Sequence, residues 1–289
     1  MHALRKSAAL GGALLIGTGA ALSAHAATVV RSDAGATPAD ILDTVNLFRA
    51  DVSLGGGVNP GGGGPFENGR RQITWDGVPD VRSEPNFMPP DQFLNTARQG
   101  AFFDTPGSGF FTSADNANPT ATAPLFNAIN PAYAGQFQAF SAQRLFIAVD
   151  SIITDTFFFI PSDPTSKGVV NGFGAVFADV DLADETTIEY FDSTNQSLGI
   201  YDVPASSDGG LSFLGVTFGD GERVARVRIT SGTAPLSALN VDGPGVDVVA
   251  MDDFIYGEPQ PVPEASTWMG ASALAGMAWL ARRRRAAKA

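Results

Sequence analysis

The sequence predicts an all-β fold: an antiparallel β-sandwich of jelly-roll type, with a short N-terminal helix and a C-terminal transmembrane helix. Three observations carry this expectation. The 289 residues include 33 Gly and 19 Pro but only 17% charged residues, a composition of short strands and turns. Short apolar runs recur between clusters of Pro, Gly, Asn and Asp, without the intervening helical patterns that a parallel sheet needs. Finally, Val224-Ala225-Arg226-Val227-Arg228-Ile229 alternates with period two, placing Val, Val and Ile on one face and both arginines on the other.

The two ends differ from the body. Arg5 and Lys6 precede an apolar stretch over residues 8–22, and Ala24-His25-Ala26 supplies a small-x-small cleavage site. Residues 1–26 therefore read as a signal peptide, with signal peptidase cutting after Ala26. Both histidines, His2 and His25, lie in the removed segment. Residues 27–257 form the expected exported domain, and residues 258–289 a tail. That tail runs Pro261-Val262-Pro263-Glu264-Ala265, then an apolar stretch over residues 265–281, then Arg282-Arg283-Arg284-Arg285. These 17 residues would make a helix of about 25 Å, at the short end of the spanning range. Trp268 would sit at one interface, and the arginines would stay on the cytoplasmic side.

The order of motif, apolar helix and arginine cluster resembles the PEP-CTERM sorting signal of exopolysaccharide-producing Gram-negative bacteria. Here the motif reads Pro263, Glu264, Ala265, with Ala265 in place of the second proline. The resemblance implies an exosortase-type transpeptidase as partner and a transient inner-membrane anchor, followed by the outer surface or extracellular matrix. The body resembles a recurrent group of exported bacterial proteins through residues 75–80, 172–177 and 251–256. Its Met251-Asp252-Asp253-Phe254 ending is also similar to that of calcium-containing jelly-roll modules, some of them carbohydrate-binding.

Along the body, Thr37-Pro38-Ala39-Asp40 is a helix start, with Asp40 completing a capping box. Ile41, Leu42, Val45 and Phe48 share one face, so residues 38–49 are expected as an amphipathic helix. Gly55-Gly56-Gly57 and residues 61–64 read as a flexible loop, since neither strand nor Lys-Ser/Thr accompanies them. Strands are expected at residues 72–75, 101–104 and 109–113, with a proline-rich coil at 78–87 and helical turns at 91–98. Clearer strands follow at 144–149, at 156–160 with three consecutive phenylalanines suggesting burial on both faces, and at 172–179. Residues 186–191 and 198–201 flank a hairpin loop at 192–196. The series closes with 211–218, 224–229 and 248–256.

Charge and composition narrow the chemistry. Between Ala27 and Pro263 stand 11 basic and 29 acidic residues, a net −18 that disfavours nucleic acid and favours cations. Without Cys, and without His after residue 26, disulfides, Ser-His-Asp triads, Cys nucleophiles and histidine zinc sites are excluded from the exported chain. The densest carboxylates, Asp179, Asp181, Asp184 and Glu185, are the expected ligands of a structural Ca²⁺, with Asp252 as a further candidate. Asp252 and Asp253 are expected to leave opposite faces of the last strand. Trp75, Tyr133, Tyr190 and Tyr201 offer either sugar-stacking faces or core packing. The leading functional expectation is a noncatalytic surface or matrix protein. The alternatives are a calcium-dependent module binding exopolysaccharide, and a glycan hydrolase or lyase working through two carboxylates.

Overall fold

The computed structural model describes residues 27–219 and 221–263. The first strand, β1 (Val29–Gly35), leads into α1 (Pro38–Ser53). Then follow β2 (Arg70–Ile73), β3 (Ala101–Asp104), β4 (Gly109–Thr112), the single turn α2 (Tyr133–Gln136), β5 (Phe146–Val149) and β6 (Ile153–Ile160). The second half is β7 (Asp163–Val169), β8 (Gly172–Ala178), β9 (Thr187–Phe191), β10 (Ser197–Asp202), β11 (Leu211–Thr217), β12 (Arg226–Thr230), β13 (Ala250–Gly257) and β14 (Gln260–Pro261). A π-helical turn at Gln92–Thr96 stands where helical turns were expected.

These strands form two antiparallel sheets of seven. The first runs β1-β11-β8-β13-β5-β4, with β2 also on β13; the second runs β10-β9-β12-β6-β7-β14, with β3 also on β6. Phe173, Leu214, Val216 and Tyr256 of the first sheet meet Phe158, Tyr190, Val227 and Ile229 of the second in one core. Trp75 is sunk into it, its ring stacked 4.0 Å from that of Phe146 and its Nε1 donating to the Asp252 carbonyl at 2.9 Å.

The all-β jelly-roll expectation is corrected here. α1 is a layer of its own: Ile41, Val45, Phe48 and Val52 pack with Val176, Leu211, Phe213 and Ile255 in a second core on the far face of the first sheet. The fold is therefore a mixed helix-and-sheet domain, helix on sheet on sheet, with two seven-stranded sheets where a jelly roll has eight strands in two Greek keys. Covering on both faces explains why every residue of β8 is buried, although its sequence shows no two-residue alternation. Phe48 fits because Gly174 and Gly215 lie opposite one another in register beneath it. The helix starts as expected, with the Thr37 amide and hydroxyl both donating to Asp40 Oδ2 at 2.8 Å.

The glycine-rich loop is also better anchored than expected. Buried Arg71 pairs with Glu258 through Nε at 2.6 Å and Nη2 at 2.8 Å, and donates to the Pro60 carbonyl. Glu258 in turn accepts from Asn59 Nδ2 and the Phe66 amide.

The expectations of a transmembrane helix, an inner-membrane partner and a transient inner-membrane anchor are corrected as well. Among the described residues no helix is long and apolar enough to cross a membrane. The cleavage residues Ala24 and Ala26, motif residues Glu264 and Ala265, and the expected span at 265–281 lie outside the described residues; Pro263 is described and exposed.

Candidate functional site

The first sheet is covered on both sides, by the second sheet and by α1 with its neighbouring loops. Among the described residues the second sheet carries core residues on one face only, which leaves its outer face as a broad surface for a ligand. Register fixes what stands there. Phe102 lies opposite Phe157, Phe157 opposite Arg226, and Arg226 opposite Phe191, giving one row across four strands. The next row reads Asp104, Asp155, Arg228, Glu189 and Ile200. At 4.7–4.9 Å between strands, the first row spans about 14 Å.

Arg226 is held rigidly in that row. Its guanidinium carbon lies 3.6 Å from the Phe191 ring centroid. Its Nη1 donates to Asp155 Oδ1 at 2.7 Å, and Nη2 to Asn195 Oδ1 at 2.8 Å. Asp155 also accepts from Arg228 Nη2 at 2.6 Å, and this bond holds the Arg228 guanidinium above its ordinary pKa. Beside Arg226 opens a hollow of about 280 Å³, lined by Phe157, Phe159, Lys167, Asp192, Asn195 and Arg226. A second hollow of about 270 Å³, beyond the other end of the Phe102–Phe157 pair, includes Phe102, Asp104, Thr105 and Ser108. Apolar ring faces bordered by fixed donors and acceptors can take up a ligand that is flat on its faces and hydroxylated at its edges.

The residues expected to hold a metal are divided by the fold. Asp179, directly after β8, is buried in a left-handed conformation at φ 70°, its Oδ1 accepting from the Gly209 amide at 2.7 Å. Asp181 lies nearby, and burial, then the Asp179 charge, raises its pKa. Asp184 and Glu185 are exposed and stay outside this group. Two residues not anticipated from the sequence join it instead. Asp242 accepts from the Val248 amide at 2.7 Å and from Gln136 Nε2; burial and the neighbouring Asp179 push it up to about 9. Buried Asp247 is raised to about 7 by desolvation and by the charges of Asp181 and Asp179. As they stand, no three His, Asp or Glu side chains among the described residues are placed to hold a metal ion.

Asp252 belongs to a different network. A register shift between Met251 and Phe254 inserts an extra residue into β13, so Asp252 and Asp253 reach the same loop rather than opposite faces. Asp252 Oδ2 accepts from the amides of Phe140 at 2.6 Å and Ser141 at 3.2 Å. Asp253 pairs with Arg49 at 3.1 Å and accepts from Gln72 at 2.7 Å; the Ser141 hydroxyl lies 2.8 Å from its Oδ1. Burial, reinforced by Asp253, drives Asp252 well above the usual carboxylate range. Both carboxylates are fully buried, so the network ties the loop at residues 140–141 to β13.

The aromatics considered for sugar stacking are core residues. Trp75, Tyr133 and Tyr190 are buried, and half-buried Tyr201 packs edge-on against Tyr190. Phe157 and Phe159, by contrast, face outward and are half-buried.

No family model and no curated protein matches the chain, and none supports the expected PEP-CTERM signal or an exosortase substrate. Among solved structures, the enzymatically active domain of tailspike protein 4 of bacteriophage CBA120 is similar at 13% identity and a TM-score of 0.27. The match covers 58% of this chain and 20% of that one, and a likeness of this order carries no argument about fold or function.

Proposed function

We propose that this protein is a noncatalytic carbohydrate-binding module whose combining surface is the outer face of the second sheet. The observation that carries the reading is the row Phe102–Phe157–Arg226–Phe191, with a hollow at each end of the Phe102–Phe157 pair. Sugar rings present apolar C–H faces to aromatic rings and hydroxyls to side-chain amides, carboxylates and guanidinium groups. A strand-to-strand step is close to the length of one pyranose ring, so an extended polysaccharide crossing the strands would repeat with the sheet. Arg226 and Asn195 are already locked by mutual hydrogen bonds, which reduces the ordering cost of binding.

Affinity electrophoresis and calorimetry against a polysaccharide panel test this. The expected result is saturable binding of at least one polysaccharide, weakened tenfold or more by Phe157→Ala and by Arg226→Ala. Phe157→Ala removes a half-exposed ring, so the fold should persist. Parental affinity in both variants, or no binding across the panel, overturns the reading.

A further inference from the structure

We infer that the hollow beside Arg226 is a subsite for an acetamido group, so that the polysaccharide this face accepts is built of N-acetylated aminosugars. The subsite presupposes the sugar-binding face proposed above and specifies its substrate class. Arg226 can only donate, and it reaches Asn195 Oδ1 through Nε at 3.2 Å and Nη2 at 2.8 Å. The Asn195 amide is thereby oriented. Its oxygen is engaged by Arg226, while Nδ2 keeps its protons free, with no acceptor among the described residues. Asp192 is fixed as firmly. Its Oδ1 accepts from the Thr194 amide at 2.8 Å, the Thr194 hydroxyl at 2.8 Å and the Gln196 amide at 2.9 Å. Its Oδ2 accepts from no donor among the described residues. Asn195 and Asp192 both line the hollow, whose apolar wall includes Phe157, Phe159 and Val262.

An acetamido group needs three things: a donor for its carbonyl oxygen, an acceptor for its N–H and an apolar wall for its methyl. Asn195 Nδ2, Asp192 Oδ2 and the rings with Val262 supply them in turn. A bare hydroxyl in the same place would leave the apolar wall unfilled. A carboxylate would meet the charge of Asp192, with only the exposed ammonium of Lys167 to balance it, since Arg226 is already paired with Asp155. At about 280 Å³ the hollow is close to the roughly 300 Å³ at which small-molecule sites begin, enough for one substituted sugar unit. Both polar side chains are held before a ligand arrives, so little ordering is needed and the pair can discriminate.

The test uses the purified full chain and two soluble ligands, the hexamer of N-acetylglucosamine (chitohexaose) and that of glucose (cellohexaose). They share one linkage and differ only in the substituent at the second carbon. Calorimetry is run in about 0.15 M NaCl, which screens the acidic body. Two hydrogen bonds and one buried methyl should make chitohexaose bind about tenfold more tightly or better. Asn195→Asp keeps an oxygen for Arg226 and suits the left-handed backbone at φ 64°, but removes the donor. Asp192→Asn keeps the acceptor that closes the loop and removes the free one. Each substitution should cut the preference to below about threefold. Equal affinity for the two hexamers, or a preference that survives both substitutions, overturns the acetamido subsite and leaves the sugar-binding face standing. So does binding of another panel polysaccharide when neither hexamer binds. Absence of binding to every polysaccharide overturns both.

Discussion

Glu84 shows how one buried carboxyl ties stability to pH. It is 3% exposed, its Oε2 has no donor, and desolvation raises it from 4.5 to about 7 against the opposing amide of Ala114. A carboxyl with a raised folded-state pKa binds more protons folded than unfolded. Its contribution to stability is therefore full below about pH 4.5 and is lost as pH rises through 7. Glu84→Gln keeps the shape and removes the titration. Between pH 5 and pH 8 the parent should lose about 2 kcal/mol more than the variant, measured by urea unfolding at each pH. Equal pH slopes would show that Glu84 is solvated. At this scale Thr37 and Asp40 were legible, because a cap is written within four residues. Asp242 and Asp247 were not, because nothing local says that two loop carboxylates will close on Asp179. The run Phe157-Phe158-Phe159 has no period, so the outward turn of its first and last rings depends on which face of the second sheet is covered.

Elements depend on close approach more than on propensity. A Cβ on Gly215 would stand 2.6 Å from Phe48 Cδ2, and one on Gly174 2.7 Å from Phe48 Cε1. Gly215→Ala should therefore lift α1 from the first sheet and cost about 1–3 kcal/mol in chemical denaturation. A variant as stable as the parent would mean that the helix layer moves freely. The Arg71–Glu258 pair has a separate role in pinning the glycine-rich loop. Arg71→Met leaves Glu258 buried without its cation and should destabilise by about 3–5 kcal/mol, with proteolysis shifting to residues 60–66. Helix and central strands were readable from apolar runs, but β1 and β7 were not. β7 (Asp-Pro-Thr-Ser-Lys-Gly-Val) is largely polar, carries Pro164 and is held between its hairpin neighbour β6 and the distant β14, while β1 alternates only weakly and is held by the distant β11.

The whole molecule carries its charge unevenly, and that choice of surface determines the polymer it can accept. The chain between Ala27 and Pro263 has a net −18, whereas the outer face of the second sheet mixes both signs. Lys167, Arg226 and Arg228 stand there among Asp104, Asp155, Glu189, Asp192 and Asp202, and Asp155 already occupies both arginines. A polyanionic glycan would gain little from cations that are already paired, and would meet the repulsive field of the acidic body over a Debye length of about 10 Å at 0.1 M salt. An uncharged polysaccharide meets neither penalty. It would bind through ring stacking and edge hydrogen bonds, with the negative heat-capacity change of apolar burial. Raising NaCl from 20 to 500 mM should therefore change affinity for a neutral polysaccharide by less than about twofold, while any binding of a uronate polymer should strengthen as repulsion is screened. Calorimetry at both salt concentrations reads the two together. Affinity for a uronate polymer that collapses with salt would instead mean that Lys167 and the arginines act as an anion site, and that stacking on Phe157 and Phe102 is secondary.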